Sequence, residues 1–241
     1  MATALVTGAS SGIGRAIAVL LAEAGWKVLA IGRDPDRLQE LRRIPGIEPV
    51  GLDITERDEL LAVASGARIE LLANNAGMMP PPGPFQTADQ SGLDTAIAVN
   101  LTAQIALTRM VLPGMVARGK GHIFFTGSIA GHAAFPDMAV YCATKAGLSG
   151  FAQALRLDVA QHGVRVTEIV AGRIETGIYR EILPDDARAT MYAGQTAVQP
   201  EDVARMVLAI HALPERADVA RFDILPTRKP SPENQTDARA K

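Results

Sequence analysis

The sequence predicts an α/β domain with a doubly wound, mostly parallel sheet of about seven strands and helices on both faces. Three observations support this prediction. Short apolar runs alternate with helical patterns along the chain, which is typical of βαβ units. The first apolar run leads directly into a glycine-rich turn and then a helix. The length of 241 residues is enough for one large α/β domain without disulfides or metal ions to stabilise it.

The elements of the first half follow from apolar runs that are separated by capping and turn residues. The Ala-rich helical pattern over 13–24 stops before Gly25, a residue type that suits the C-terminal end of a helix. Asp34 followed by Pro35 predicts an N-cap and a first-turn proline for the second helix. The predicted strands are 2–7, 27–31, 47–52 and 69–73, and the predicted helices are 13–24, 35–43 and 55–65.

The second half begins with a loop, because four prolines lie between residues 78 and 84. Residues 173–198 lack a clear period, and we expect a mobile insertion that acts as a lid over a substrate. We expect one domain over 1–225 that includes this loop, and a polar, flexible tail over 226–241. The predicted helices are 86–99, 101–118, 141–161 and 200–212, and the predicted strands are 122–126, 164–170 and 221–225.

Composition and charge argue against several classes of protein. Apolar residues make up 48% and charged residues 21% of the chain, as in a globular and not a disordered protein. The net charge is −2 without a basic run, so we expect no nucleic-acid partner. The single cysteine, Cys142, and four scattered histidines do not form a metal-binding pattern. Without a secretory signal or an apolar stretch of about 20 residues, we expect a cytoplasmic protein and no membrane partner.

The turn after the first strand reads Thr-Gly-Ala-Ser-Ser-Gly-Ile-Gly over residues 7–14. Gly8 permits the tight turn, Gly12 lets the backbone approach a pyrophosphate, and Gly14 lets the helix pack closely on the sheet. The start of the helix offers free N–H groups and the positive end of the helix dipole to phosphate. A tight turn without a ligand is the alternative interpretation.

A second pattern carries the chemistry. Tyr141 and Lys145 are four residues apart, so they lie on one face of a helix. A phenol acts as a general base near neutrality only if its pKa falls by about three units, or roughly 4 kcal/mol, which a neighbouring cation favours. Ser128 lies at the end of a predicted strand, where a hydroxyl can polarise a carbonyl group. A surface Tyr–Lys pair is the alternative interpretation of the spacing alone.

These motifs resemble, in order and spacing, those of the short-chain dehydrogenase/reductase family, in its short single-domain form with Thr-Gly-x-x-x-Gly-x-Gly and Tyr-x-x-x-Lys. The resemblance covers residues 2–212. It implies a Rossmann-like fold and a nicotinamide cofactor that serves the interconversion of a carbonyl and a secondary alcohol. It assigns catalysis to Asn100, Ser128, Tyr141 and Lys145, with Tyr141 as the general acid or base. Asn100 would help to hold a water that links Lys145 to solvent, or would cap the helix over 101–118.

The resemblance also indicates which nicotinamide cofactor is bound. Members that prefer NAD carry Asp at the position of Gly32, and members that prefer NADP often carry a basic residue at the position of Arg33. A guanidinium there can pair with the 2′-phosphate, so we expect NADP(H), with NAD(H) as the alternative. Arg33 as a solvated loop residue remains open. Asp34 is better explained as a helix N-cap.

Further cofactor contacts are implied by family motifs at the ends of other strands. Asp53 would bind the adenine amino group, although an Asp here also suits a cap of the next helix, for which Thr55 is the better candidate. In the Asn-Asn-Ala-Gly motif over 74–77, a structural role of Asn75 is as plausible as a role in cofactor binding. The family usually has proline where Ala171 stands, so the rigidity of the nicotinamide side is in doubt. The full set of expected cofactor contacts is Gly8, Ser10, Ser11, Gly12, Ile13, Gly14, Arg33, Asp53, Ile54, Asn74, Ala76, Gly77, Tyr141, Lys145, Gly172, Ile174 and Thr176.

The loops near 78–84, 132–138 and 178–193 carry mainly apolar side chains and predict an apolar pocket for a small-molecule substrate. Arg173 and Arg180 either bind a carboxylate or face solvent, and His132 is either a substrate contact or a polar loop residue. The alternative function is a non-catalytic NADP(H)-binding sensor or regulator, which would not need Ser128, Tyr141 and Lys145 together. The family resemblance and the small, apolar residues of 101–118 and 141–161 indicate a homotetramer or a homodimer.

Overall fold

Seven parallel strands form one sheet in the computed structural model, which describes residues 1–180 and 182–228. The order across the sheet is β3-β2-β1-β4-β5-β6-β7, so the chain starts in the middle and winds outward in both directions. This confirms the predicted doubly wound α/β fold. The strands are β1 (Thr3–Thr7), β2 (Lys27–Gly32), β3 (Ile47–Gly51), β4 (Ile69–Asn74), β5 (Gly121–Thr126), β6 (Val164–Ala171) and β7 (Arg221–Ile224).

Helices cover both faces of this sheet. Alternate residues of one strand point to opposite faces, so Ala4 and Val6 pack with one set of helices and Leu5 packs with the other. The first face is covered by α1 (Gly12–Glu23), α2 (Pro35–Leu41) and α8 (Pro200–His211). The second face is covered by α3 (Arg57–Ser65), α5 (Ala103–Arg118) and α6 (Ala139–Val159).

All strand pairings are parallel, so the carboxyl ends of the strands lie along the same edge of the sheet. The order of the strands reverses between β1 and β4, and open α/β sheets bind ligands in the crevice at such a point. The glycine turn follows β1 at this edge. The fold therefore brings the predicted motifs to one side of the sheet.

One predicted division of the chain is wrong. Helix α4 (Gln90–Ile97) continues into α5 through a π-helical turn over Ala98–Thr102, so the two predicted helices form one run. This run, Gln90–Arg118, is the one helix in residues 1–180 and 182–228 that is long and apolar enough to cross a membrane. Its side chains Leu107, Val111 and Met115 are buried in the core of the second face, as expected for a core helix.

The lid segment is more regular than its sequence predicts. It contains α7 (Asp185–Tyr192) between short 3₁₀ turns. Arg173 fastens it, since its guanidinium donates to the carbonyl oxygens of Met191 at 2.7 Å and Thr196 at 3.1 Å. Arg173 therefore holds the lid instead of facing solvent. Most of the expected tail over 226–241 lies outside the described residues, because the structure does not describe residues 229–241.

Candidate active site

The glycine turn after β1 has no room for side chains. Gly8 and Gly12 have φ values of +65° and +52°, which favour glycine. A Cβ at Gly14 would lie 2.4 Å from both Asn75 Nδ2 and Gly8 O, so α1 packs as closely as predicted. The N-cap residue Ser11 makes no side-chain hydrogen bond with the start of α1, which leaves the first N–H groups of the helix facing the crevice.

Asn75 ties the ends of three neighbouring strands together. Its Nδ2 donates to Thr7 O at 3.1 Å, and its Oδ1 accepts from Thr126 Oγ1 at 3.1 Å. The Thr7 hydroxyl accepts from the N–H groups of Asn75 and Ala76, both at 3.0 Å. These bonds support the structural interpretation of Asn75. They also fix Ala76 beside the glycine turn.

The end of β2 has the expected Gly32-Arg33 pair. Arg33 is largely exposed, and its Nη1 lies 3.5 Å from Asp53 Oδ2. Asp53 also accepts from Thr55 N at 2.9 Å and Thr55 Oγ1 at 2.8 Å. Partial burial raises the pKa of Asp53, but the bonds from Thr55 and the charge of Arg33 outweigh it, and the pKa is lowered from its usual value.

The capping interpretations of this region have different outcomes. Asp34 is an N-cap, because its Oδ1 accepts from Arg37 N at 3.1 Å. Neither Asp53 nor Thr55 caps the next helix, since α3 begins at Arg57 after Glu56 and has no side-chain cap bond. Asp53 and Thr55 instead bond to each other and leave the Arg33 guanidinium open to solvent on its other side.

Tyr141, Lys145 and Ser128 converge at the carboxyl ends of β5 and β6. Lys145 Nζ lies 5.8 Å from the centre of the Tyr141 ring and donates to Thr126 O at 2.8 Å. Ser128 Oγ accepts from Ala130 N at 3.1 Å, and the Ser128 hydroxyl lies near enough to the Tyr141 phenol to act on its pKa. Both Tyr141 and Lys145 are buried. A substrate oxygen placed against Tyr141 and Ser128 would have two hydroxyl partners.

Burial sets the proton affinities of this pair. It raises the pKa of Tyr141 to about 12, although the neighbouring Ser128 hydroxyl opposes the shift. It lowers the pKa of Lys145 to about 8, although the negative charge of Glu168 opposes the shift. Desolvation thus sets the direction of the Tyr141 shift in the protein without cofactor, and the lowering by a neighbouring cation that is expected in the working enzyme stays a prediction. The phenol is therefore a proton donor near neutrality.

Asn100 is fully buried in the π-helical turn between α4 and α5. Its Oδ1 accepts from Met78 N at 2.8 Å, and its Nδ2 donates to Met78 O at 2.8 Å and to Thr144 Oγ1 at 3.3 Å. It does not cap α5, because the helix continues through it. A Cβ at Gly77 would lie 3.3 Å from Asn100 Oδ1 and 3.7 Å from Lys145 Nζ, so this residue adjoins the lysine.

An apolar cluster covers the reacting end. Met79, Ala130 and Tyr141 are buried there, and burial raises the pKa of the Tyr179 phenol in the same cluster. The free cysteine, Cys142, packs in this cluster. The half-buried members are Met138, Cys142, Ile178, Tyr179 and Ile182.

The two undecided polar residues lie elsewhere. Arg180 lines a cleft of about 900 Å³ between the lid and the glycine turn, with Ser10, Ser11 and Thr176. His132 Nε2 lies 2.9 Å from Glu168 Oε1, so it binds a strand residue instead of facing the apolar cluster. Sequence reasoning missed Glu168. Its signal was an acid inside the otherwise buried strand 164–170.

The remaining expected cofactor contacts lie in different parts of the site. Thr176 lies over the glycine turn, since a Cβ at Gly12 would be 3.1 Å from Thr176 Cγ2. Asn74 and Ile54 lie in the interior, and Asn74 Nδ2 donates to Thr108 Oγ1 at 3.0 Å. The segment with Ala171 in place of proline stays in the sheet: Gly172 N donates to Ile224 O at 3.0 Å. Partly buried Ile13, in the first turn of α1, and buried Ile174, bridged to Val198, complete the set.

Comparisons with known proteins agree with this architecture. A family model described as short chain dehydrogenase matches residues 2–187. An uncharacterized short-chain type dehydrogenase/reductase, y4eK, from Sinorhizobium fredii is 44% identical over 225 residues, covering 93% of this chain and 91% of the relative. The NADP-dependent 3-hydroxy acid dehydrogenase YdfG of Escherichia coli is 36% identical over 232 residues, covering 92% and 94%. The closed form of serine dehydrogenase complexed with NADP+ is similar with a TM-score of 0.88 and 33% identity, covering 92% and 94%.

Proposed function

Since the chain belongs to the short-chain dehydrogenase/reductase family of oxidoreductases, we propose that it interconverts a carbonyl compound and a secondary alcohol with NADP(H), and that Tyr141 is the general acid or base. The observation that carries this proposal is the convergence of Tyr141, Ser128 and Lys145 beside the glycine turn. A phenol, a hydroxyl and an ammonium group at the strand ends suit proton transfer to a carbonyl oxygen.

The residues at the crevice fit NADP(H). The free N–H groups at the start of α1 and the open backbone at Gly12 suit a pyrophosphate. The exposed guanidinium of Arg33 suits a 2′-phosphate, and no acid stands at Gly32 to repel it. When bound, the cofactor supplies or accepts the hydride at its nicotinamide ring. The names of the YdfG relative and of the serine dehydrogenase complex also include NADP.

The proton chemistry follows from the burial of the reacting groups. In carbonyl reduction, Ser128 donates a hydrogen bond to the substrate oxygen and Tyr141 gives that oxygen its proton. Lys145 then stabilises the phenolate that remains. Because the pKa of Tyr141 is raised to about 12, the phenol is fully protonated near neutrality. The protonated phenol is the form that donates in carbonyl reduction.

We propose a substrate with an apolar body. The side chains that cover Tyr141 come from Met79, Met138, Ile178, Ile182 and Tyr179, and they are apolar except for the Tyr179 hydroxyl. Arg180, which lies between Ile178 and Ile182 in the sequence, lines the cleft at the glycine turn and not the apolar cluster. An apolar carbonyl compound therefore matches this cluster better than a sugar or a dicarboxylate.

We also propose a single dinucleotide-binding domain over 1–225, a cytoplasmic location and a homotetramer, with a homodimer as the alternative. The exposed face of α6 carries small residues such as Ala143, Ala146, Gly150 and Ala154. A Cβ at Gly150 would meet no atom within 4 Å, so a second helix can approach this face closely. Light scattering at micromolar concentration tests the assembly, and a monomer would contradict it.

The proposed activity is tested by following NADPH oxidation with a panel of apolar ketones and aldehydes. Tyr141→Phe should lower turnover by about 10²–10⁴-fold, because the proton donor is lost. Its thermal stabilisation by NADPH should remain. The control is Thr95→Val, which removes an exposed hydroxyl of α4 that donates to Ser91 O at 2.7 Å.

Two outcomes would contradict the proposal. Turnover that survives in Tyr141→Phe would remove this residue from the chemistry. Tight NADPH binding with no oxidation across the whole panel would favour a sensor that only reads the redox state of the cofactor.

A further inference from the structure

Strand β6 buries an acid that the proposed proton transfer does not use. Glu168 is 1% exposed and stands among apolar strand residues. Its Oε1 lies 2.9 Å from His132 Nε2, and its Oε2 accepts from Ser149 Oγ at 2.9 Å. Gln153 Nε2 donates to the same Ser149 hydroxyl at 3.0 Å. Burying a carboxylate costs free energy even when both of its oxygens have hydrogen-bond partners, so this arrangement calls for an explanation.

The partners of Glu168 belong to the two elements that carry the reacting groups. Ser149 follows Lys145 by one turn on the same face of α6. His132 lies in the segment after β5 that begins with Ser128. The carboxylate also touches the backbone between them, because a Cβ at Gly127 would lie 2.7 Å from Glu168 Oε1. Glu168 therefore joins β6, α6 and the loop after β5.

Glu168 also acts on the charge of Lys145. Burial lowers the pKa of this lysine, and within the described residues the opposing attraction comes from Glu168. The other polar groups on this side are Tyr141 from α6, the Thr126 carbonyl, His132 behind the carboxylate and Tyr179 above the phenol. Among these groups, Glu168 is the acid, so its removal leaves the ammonium group with a carbonyl partner alone.

We propose that Glu168 is a positioning residue of this active site: it fixes the Ser128 loop against α6 and keeps the positive charge on Lys145 beside Tyr141. The inference rests on the proposed function only for the use that Lys145 makes of this charge. The structural part concerns the protein without any ligand.

The direct test is the titration of Lys145 in Glu168→Gln. The chain has only five lysines, so protein labelled with ¹⁵N at lysine Nζ gives a sparse NMR spectrum, and Lys145→Arg assigns the signal. In the wild type the midpoint is expected near pH 8. Glu168→Gln keeps the shape of the side chain but removes the charge, and should lower the midpoint by roughly one unit. Ser149→Ala removes one neutral contact and should leave it in place.

A second pair of variants applies if Glu168→Gln does not fold. His132 is partly exposed, so it tolerates substitution better than the buried acid. His132→Lys places a permanent positive charge against Glu168 and should lower the Lys145 midpoint relative to His132→Gln. Circular dichroism and thermal melting establish that each variant is folded. An unchanged midpoint in folded Glu168→Gln, or equal midpoints in the His132 pair, overturns the proposal.

The kinetic readout separates this inference from the proposed function. With an active substrate, the pH above which kcat declines should move down in Glu168→Gln by the same amount as the Lys145 midpoint. A purely structural role would lower the melting temperature without moving the pH profile. If no substrate is turned over, the NMR titration still decides the role of Glu168, since it needs neither cofactor nor substrate.

Discussion

Strand β5 has buried ionisable side chains near both of its ends, and their pKa values are set in different ways. At its start, burial lowers the pKa of His122 to about 2, and the positive charge of Arg165 and the ring of His211 add to the shift. At its end, burial lowers the pKa of Lys145 only to about 8, because Glu168 opposes it. The cost of desolvation is common to both, but the neighbouring charge has opposite sign.

The hydrogen bonds show the same contrast. The ring of His122 stacks on Phe124 with centres 4.0 Å apart. Among the residues that the structure describes, the buried Nδ1 atoms of His122 and His211 have no hydrogen-bond partner. At the other end, Lys145 and Glu168 both have partners at 2.8–2.9 Å. The starting end thus uses its histidines as neutral packing groups, and the carboxyl end preserves a charge that chemistry can use.

The largest expected effect comes from removing that charge. Lys145→Met should lower turnover by about 10²–10⁴-fold, because the phenolate of Tyr141 loses its cation. The free energy of unfolding should also fall, by up to about 3–5 kcal/mol, because Lys145→Met leaves the buried carboxylate of Glu168 without its neighbouring positive charge. Steady-state kinetics and urea unfolding at pH 7 measure the two quantities.

The control for this substitution is Lys27→Met. Lys27 forms an exposed ion pair with Glu48 at 2.8 Å on the outer strands, far along the chain from the reacting groups. It should keep full turnover. The comparison breaks if Lys145→Met unfolds the protein while its turnover per folded molecule is normal.

The second effect concerns acid stability at the starting end. His122 is neutral in the folded protein, and the unfolded chain binds its proton below about pH 6.5. The contribution of neutral His122 to the free energy of unfolding is complete above about pH 6.5, and it is lost as the pH falls toward 2. At pH 5 the loss is about 2 kcal/mol. Urea unfolding of the wild type and His122→Gln at pH 7 and pH 5 should show this difference.

The choice of glutamine preserves the one hydrogen bond of the ring. Thr167 Oγ1 donates to Val219 O at 2.7 Å, so it accepts from His122 Nε2 at 2.9 Å, and a glutamine amide can replace that donor. The exposed His162→Gln is the matched control and should lose as much stability as the wild type. An equal loss in His122→Gln would mean that other groups cause the acid sensitivity.

The sequence was sufficient for the sheet and for the reacting pair. All seven strands lie within one residue of their predicted ends. The central strands are buried on both faces and are read as continuous apolar runs. Tyr141 and Lys145 were predicted to share a face because their spacing fixes it. The glycine turn was equally legible, since Gly8 and Gly14 each meet an obstacle that only glycine avoids.

The rest depends on contacts between distant residues or on burial. Glu168 binds His132 and Ser149, which are 36 and 19 positions away, and no local pattern encodes such a pairing. The desolvation of Tyr141 could not be read from the sequence, because it depends on which distant residues cover the phenol. Helix α7 was missed because it is short and polar, although Pro184 and Asp185 are ordinary signals of a helix start.

The smallest effect extends the comparison of the two ends from charge to space. At the starting end, a Cβ at Gly121 would lie 2.5 Å from Met115 Sδ, in the core. At the carboxyl end, a Cβ at Gly32 would lie 2.9 Å from Ser10 Cβ, in the glycine turn. A side chain at Gly32 therefore meets Ser10 first and Leu38 Cδ2 next, at 3.3 Å, and Ser10 limits the exchange of Gly32 for an acid most strongly.

Gly32→Asp should accordingly weaken NADPH binding about tenfold, or roughly 1.4 kcal/mol, because the acid repels the 2′-phosphate. It should not gain NADH affinity until Ser10→Gly provides the space for the new side chain. Fluorescence titration of both nucleotides against the single and double variants measures this, with Ser10→Gly alone as the control that keeps its preference for NADPH. If Gly32→Asp alone binds NADH as tightly as the double variant, the glycine turn can move to accept the new side chain. The nucleotide preference at this position is then set by charge and not by space.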